Sequence, residues 1–152
     1  MYVKLSDLFN TFPRWASNIS MTLRITHLGT GSRGNSTLLE TDEDRVLIDQ
    51  GFSGAQLEKR LGMLNIKPND IDCIVLTHHH GDHGGGAAIC QKKWQTRILA
   101  NQRTALELNL NPKLTSYFDS LDLIKIGEHL TLLPFPVPHS GSYNVAFVAS
   151  YH

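Results

Sequence analysis

Apolar residues in this chain fall into short runs separated by Gly, Ser, Asn and Asp. LRITHLG (23–29), STLLET (36–41) and RVLIDQG (45–51) read as strands bounded by turn residues. GAQLEKRLGML (54–64) reads as a helix. Leu57, Leu61 and Leu64 form its apolar stripe, and Ser53 with Gln56 makes a capping-box pair at its start. DCIVLTH (72–78) is apolar at successive positions, the pattern of a strand covered on both faces. Residues 84–95 and 102–109 read as further helices, and 96–101, 121–127, 129–137 and 144–152 as further strands. This order predicts an α/β fold: one mixed β-sheet of about six or seven strands with helices on one face.

Residues 1–20 do not share the pattern. Leu5, Leu8, Phe9, Phe12 and Trp15 fall at helical spacings, while Pro13 argues against a long helix. Met21 opens a clean strand. Two readings stand: an N-terminal extension ahead of a natural start at Met21, or a docking helix. The domain itself is expected over 21–152.

VLTHHHGDHGGG (75–86) concentrates metal-capable side chains at one bend. His78 and His80 are two apart, so at the end of a strand both point one way and His79 the other. Gly81 permits a turn, and Asp82 and His83 begin the next helix. Neutral imidazole and carboxylate are ligands for zinc, manganese or iron. One pair can hold a first ion and the other pair a second. A catalytic site needs three or more ligands and an open position.

Composition narrows the surroundings of that chemistry. The 152 residues fit one domain, and a formal net charge of zero removes a global basic field as a sign of nucleic-acid binding. A local basic group, such as Lys92, Lys93 and Arg97, remains compatible with it. Cys73 and Cys90 are isolated and read as buried free thiols in a reducing compartment. No apolar run reaches the roughly 18 residues of a membrane span, and Asp7, Asn10, Pro13 and Arg14 interrupt any signal-peptide core. The expectation is a soluble cytoplasmic protein with no membrane partner.

The H-x-H-x-D-H spacing resembles the metallo-β-lactamase-fold hydrolases. LGTGSRGNSTLLET (28–41), VLIDQGFS (46–53) and IVLTHHHGDHGGG (74–86) occur in that family's order, and GNS followed by LIDQG is most similar to a bacterial branch of DNA exonuclease-like proteins. The resemblance covers about residues 22–150 and implies the N-terminal half of an αβ/βα sandwich. It implies that His78, His80 and His139 hold a first metal and that Asp82 and His83 begin a second site. Asp82 would also orient the nucleophile. It gives Asp49 the role of holding the ligand loop by hydrogen bonds. Up to two ions are implied for the complete fold, Zn2+ first, with Mn2+ or Fe as alternatives. Arg33, Asn35 and Ser36, in the glycine–serine loop, are candidate substrate contacts. His27, His79, His129 and His152 read as structural or exposed.

The implied activity is hydrolysis by metal-activated water, with phosphodiesters of nucleic acid as the substrate of that branch. An iron-dependent redox member of the same fold, or a non-catalytic metal-binding remnant, are the competing readings. The family pattern also calls for a bridging aspartate and a final histidine beyond His139, and SGSYNVAFVASYH (140–152) contains no Asp or Glu. The chain is therefore expected to be C-terminally incomplete, to bind about one metal, and to have little nuclease activity alone. A half-sandwich would leave one sheet face bare, so self-association is expected as well.

Overall fold

The computed structural model of the chain describes residues 22–140 and 143–152; the expected N-terminal helix lies outside them. A six-stranded mixed sheet runs in the order β1-β2-β3-β4-β5-β6. Strands β1 (Arg24–Gly29), β2 (Ser36–Glu40) and β3 (Arg45–Ile48) form an antiparallel meander. Strands β4 (Cys73–Val75), β5 (Arg97–Ala100) and β6 (Thr115–Tyr117) continue the sheet in parallel. Parallel neighbours need crossover connections, and helices supply them. Helix α1 (Gly54–Gly62) joins β3 to β4, α2 (Gly81–Gly84) and α3 (Ala87–Trp94) join β4 to β5, and α4 (Gln102–Glu107) joins β5 to β6. Ser53 Oγ accepts from the Gln56 amide at the start of α1, and Asn101 caps α4 through the Thr104 amide.

The period of two in the strands divides the core. Leu38, Leu47, Ile74 and Ile98 face the helices and bury Leu57, Leu61, Cys90 and Ala105. Their neighbours Leu39, Val46, Cys73 and Val75 face the opposite way. There they meet a second antiparallel sheet of β7 (Ile124–Ile126), β8 (Leu130–Pro136) and β9 (Val145–Tyr151), through Ile126, Leu130, Leu132 and Val145. Leu130 and Leu132 are fully buried, and each such side chain contributes about 1.5–3 kcal/mol of burial free energy.

The expectation of one sheet is therefore corrected. The helices do lie on one face of the large sheet, but β7–β9 leave it and cover much of the other face. Alternation along 121–152 reports a half-buried strand and carries no information on which sheet it joins. Boundaries differ too. Strand β4 stops at Val75 instead of reaching His78. The single helix expected over 84–95 is two, α2 and α3, broken at residues 85–86. Strand β6 was not anticipated, because Thr115–Tyr117 is a polar three-residue edge without an apolar run. No helix among the described residues is long and apolar enough to cross a membrane.

The second sheet does not close fully on the first. A cavity of about 710 Å³ remains between Ile25, Leu39 and Ile48 on one side and Leu132, Val145 and Phe147 on the other. Its polar end is formed by His78, His83 and His139.

Candidate metal centre

The histidines gather at the carboxyl ends of β3 and β4, where open α/β sheets generally bind ligands. Asp49 directly follows β3 with φ of 63° and donates its amide to the Val75 carbonyl at 2.9 Å. Asp and Asn adopt this left-handed conformation more readily than other non-glycine residues. The turn carrying the histidines is then stitched to the segment after β3 by main-chain bonds. Gln50 N donates to His83 O at 2.6 Å, and Gly86 N donates to Gln50 O at 2.9 Å. Asn35 N reaches Asp82 O at 2.7 Å from the β1–β2 loop. Gly51 lies so close beneath this turn that a Cβ there would come within 1.9 Å of the Asp82 carbonyl oxygen.

His78, His80 and His139 each bring one ring nitrogen within 4.8 Å of the others'. Ring centroids are 4.6 Å apart for His78–His80, 5.0 Å for His78–His139 and 5.1 Å for His80–His139. Two of the three follow β4 and the third follows β8, so the group is assembled across both sheets. His79 is outside it, in line with the facing expected from the sequence. Strand geometry is not the cause, since β4 has ended by then and the chain bends at Thr77.

Asp49, 5% exposed, organises two of the rings. Its carboxylate accepts from His83 Nδ1 at 2.7 Å, from Thr77 N at 2.8 Å, and from Thr77 Oγ1 at 2.8 and 3.0 Å. A carboxylate only accepts, so His83 carries a proton on Nδ1, and in the neutral ring the lone pair falls on Nε2. The Thr77 hydroxyl also lies 2.8 Å from His78 Nδ1. With its own hydrogen directed to Asp49, Thr77 accepts from His78 Nδ1–H, and the lone pair of His78 falls on Nε2. That Nε2 is buried and has no hydrogen-bond partner. A buried acceptor without a partner is costly, and a cation shared with His80 and His139 would satisfy it. The donor set fits a metal ion. Burial, then the neighbouring His83, pushes the His78 pKa down to about 4, so the ring is neutral near pH 7, the form that ligates. The hydrogen bond that His83 donates to Asp49 raises the His83 pKa instead.

Asp82 and His83 sit together as a second group. Asp82 Oδ2 is 3.6 Å from His83 Nε2, and the Asn35 amide approaches both atoms at 3.2 Å. His83 Nε2 therefore already has a polar neighbour, unlike His78 Nε2.

The other sequence candidates fall elsewhere. Asn35 is engaged with Asp82, His83 and Gly31, which places it beneath the ligand turn rather than at an open surface. Ser36 is 1% exposed, and a side chain enclosed in β2 has no surface to offer a substrate. Arg33 is exposed and lines a different cavity. Thr77 was missed by the sequence reading. Its only signal was a hydroxyl between a buried strand and the first histidine.

This fold and this histidine group define a family. The model of the metallo-beta-lactamase superfamily matches residues 29–149, and the chain belongs to that superfamily. Among curated proteins, it is 40% identical over 77 residues to the exodeoxyribonuclease WalJ of Streptococcus pneumoniae, a match covering 51% of this chain and 29% of that protein. It is 34% identical over 84 residues to the exodeoxyribonuclease YycJ of Bacillus anthracis, covering 55% of this chain and 32% of that one. The chain thus matches about a third of the length of these relatives. BJP-1, a subclass B3 metallo-beta-lactamase of Bradyrhizobium japonicum, superposes with a TM-score of 0.68 at 21% identity, over 85% of this chain and 55% of that one. At that identity the likeness is one of fold alone.

Proposed function

We propose that this chain carries the metal-binding part of a hydrolase acting on nucleic-acid phosphodiesters. The observation that carries the reading is that His78, His80 and His139 bring ring nitrogens within 4.8 Å of one another, beside a His78 Nε2 that is buried without a hydrogen-bond partner. These three would hold one divalent ion, Zn2+ on the chemistry of three imidazoles, with Mn2+ or Fe as alternatives. When bound, that ion would supply Lewis acidity and a water nucleophile near neutral pH. Thr77 and Asp49 fix the rings that would hold it. Asp82, with its carboxylate beside His83, would orient the attacking water and accept its proton. Asp82 and His83 would begin a second ion site, but the Asn35 amide competes for both. One tight ion per chain is therefore expected. The choice of nucleic acid over other substrates is supported by the two exodeoxyribonuclease relatives.

Elemental analysis after exhaustive dialysis tests the first step, with about one zinc per chain as the expected result. Absence of any retained metal, or content unchanged by replacing His78 and His80 together, would refute it. Hydrolysis of a labelled DNA strand, expected to be slow for the parent chain and slower still for Asp82→Asn, tests the second. Hydrolysis independent of Asp82 would remove that residue from the mechanism.

A further inference from the structure

A second concavity lies beside the ligand turn, between the β1–β2 loop and α1. It encloses about 550 Å³ and is lined by Thr30, Arg33, Gln56 and Arg60 over the Phe52 ring. Arg60 is held in place. Its guanidinium carbon sits 4.2 Å from the Phe52 ring centroid, and Nη1 donates to the Leu28 carbonyl at 2.6 Å. Its Nε is buried with no hydrogen-bond partner. Gly34, at φ of 141°, lets the loop close on the same ring, since a Cβ there would come within 2.5 Å of Phe52.

Among the described residues, no carboxylate forms an ion pair with Arg33 or Arg60. Two guanidinium groups thus line one concavity with no counter-charge, next to a hydroxyl and a carboxamide. Guanidinium donors match the oxygens of a phosphate group in number and geometry. The same loop continues to Asn35, whose amide touches Asp82 and His83. A strand crossing the histidine group would therefore run past this loop. We propose that the Arg33–Arg60 cavity is a subsite for a backbone phosphate of a nucleic-acid strand, remote from the phosphodiester at the histidines. The inference rests on the proposed nucleic-acid substrate and assigns the strand a path. It also reconciles the neutral net charge with a polyanionic ligand: the basic surface is local.

The test is binding of a fluorescent single-stranded oligonucleotide to the full chain, with and without chelator, across a salt series. Arg33→Glu is compared with Lys113→Glu, an equal charge change at an exposed position outside the cavity. Arg33→Glu should weaken strand binding at least tenfold and lower the salt slope by about one. Lys113→Glu should change it less than twofold, and zinc content should be unaffected in both. Inorganic phosphate should compete with the strand for the parent chain and much less for Arg33→Glu. Equal effects of the two variants would overturn the proposal. So would phosphate binding without strand binding, which would mark a free-anion site. Failure to retain zinc, with strand binding still dependent on Arg33, would sink the hydrolase reading and leave the subsite standing. Zinc retention with strand binding indifferent to Arg33 would do the reverse.

Discussion

Replacing Asp49 by Asn exchanges one carboxylate oxygen for an NH2 group and leaves the shape of the side chain unchanged. The backbone is not disturbed, because Asn tolerates a φ of 63° as readily as Asp. Two orientations are open to the new amide. With NH2 in place of Oδ1 it meets the Thr77 backbone N–H, a donor that cannot change, across 2.8 Å. With NH2 in place of Oδ2 it meets His83 Nδ1–H across 2.7 Å, and the ring relieves the clash by moving its proton to Nε2. The second orientation therefore wins. It also puts an N–H donor 2.8 Å from Thr77 Oγ1. The hydroxyl's remaining acceptors are Oδ1 at 3.0 Å and the closer His78 Nδ1 at 2.8 Å, and turning its hydrogen to the closer one moves the His78 proton to Nε2 as well. The imidazole at the heart of the histidine group then presents N–H where it had a lone pair. Loss of such a supporting contact weakens metal binding about 10- to 100-fold, equivalent to about 1.4–2.8 kcal/mol. Loss of the charge-assisted bonds lowers folding stability by about 1.5–3 kcal/mol. Zinc affinity by competition with a chromogenic chelator measures the first effect, and histidine ¹⁵N shifts report which nitrogen is protonated. Affinity within twofold of the parent, with Nε2 of His78 still unprotonated, would refute the relay through Thr77.

Three further predictions concern separate parts of the molecule. His78→Ala or His80→Ala should abolish tight zinc binding, while His79→Ala should leave metal content nearly unchanged; elemental analysis giving the opposite ranking would break the assigned facing. Gly51→Ala should displace the Asp82 carbonyl, since no flexible side chain can yield there, and the loss of the Asn35 and Gln50 contacts should lower the midpoint of thermal unfolding by several degrees; an unchanged midpoint would argue against the stitching. Burial pushes the Cys73 thiol up to about 12 and Cys90 up to about 11, so neither should react with a disulfide reagent at pH 8 until denaturant is added. Both pKa values are raised in the folded state. Their contribution to stability is therefore complete below the unfolded thiol pKa and is lost as pH rises from about 9 towards 12, which a denaturation series over that range would detect.

Much of the site was legible before the fold was known, because its chemistry is local. The His78–His83 cluster spans one turn, and its spacing already sets His79 apart, although the strand assumed in that reading stops at Val75. Asp49 was readable as the residue after the strand that Ile48 closes and as a group beside the ligands in the resembled family. What the chain order hides is how distant segments share a proton. Thr77 matters only because Asp49 lies on one side of its hydroxyl and His78 on the other. Likewise, Arg60 joins Arg33 only through the packing of α1 and Phe52 against the β1–β2 loop. The division into two sheets was also hidden, since β8 and β9 alternate just as an added strand of the large sheet would.

The placement of His139 has a further consequence. The histidine group is completed only when the loop after β8 comes to rest against the turn after β4, so the three rings report the docking of two layers that lie far apart along the chain. An ion held by all three would act as a cross-link closing a long loop, favouring the docked arrangement by restricting the unfolded chain and by binding the folded one. Chelation should then loosen the small sheet before the large one, with earlier amide exchange in β8 and β9 than in β3 and β4.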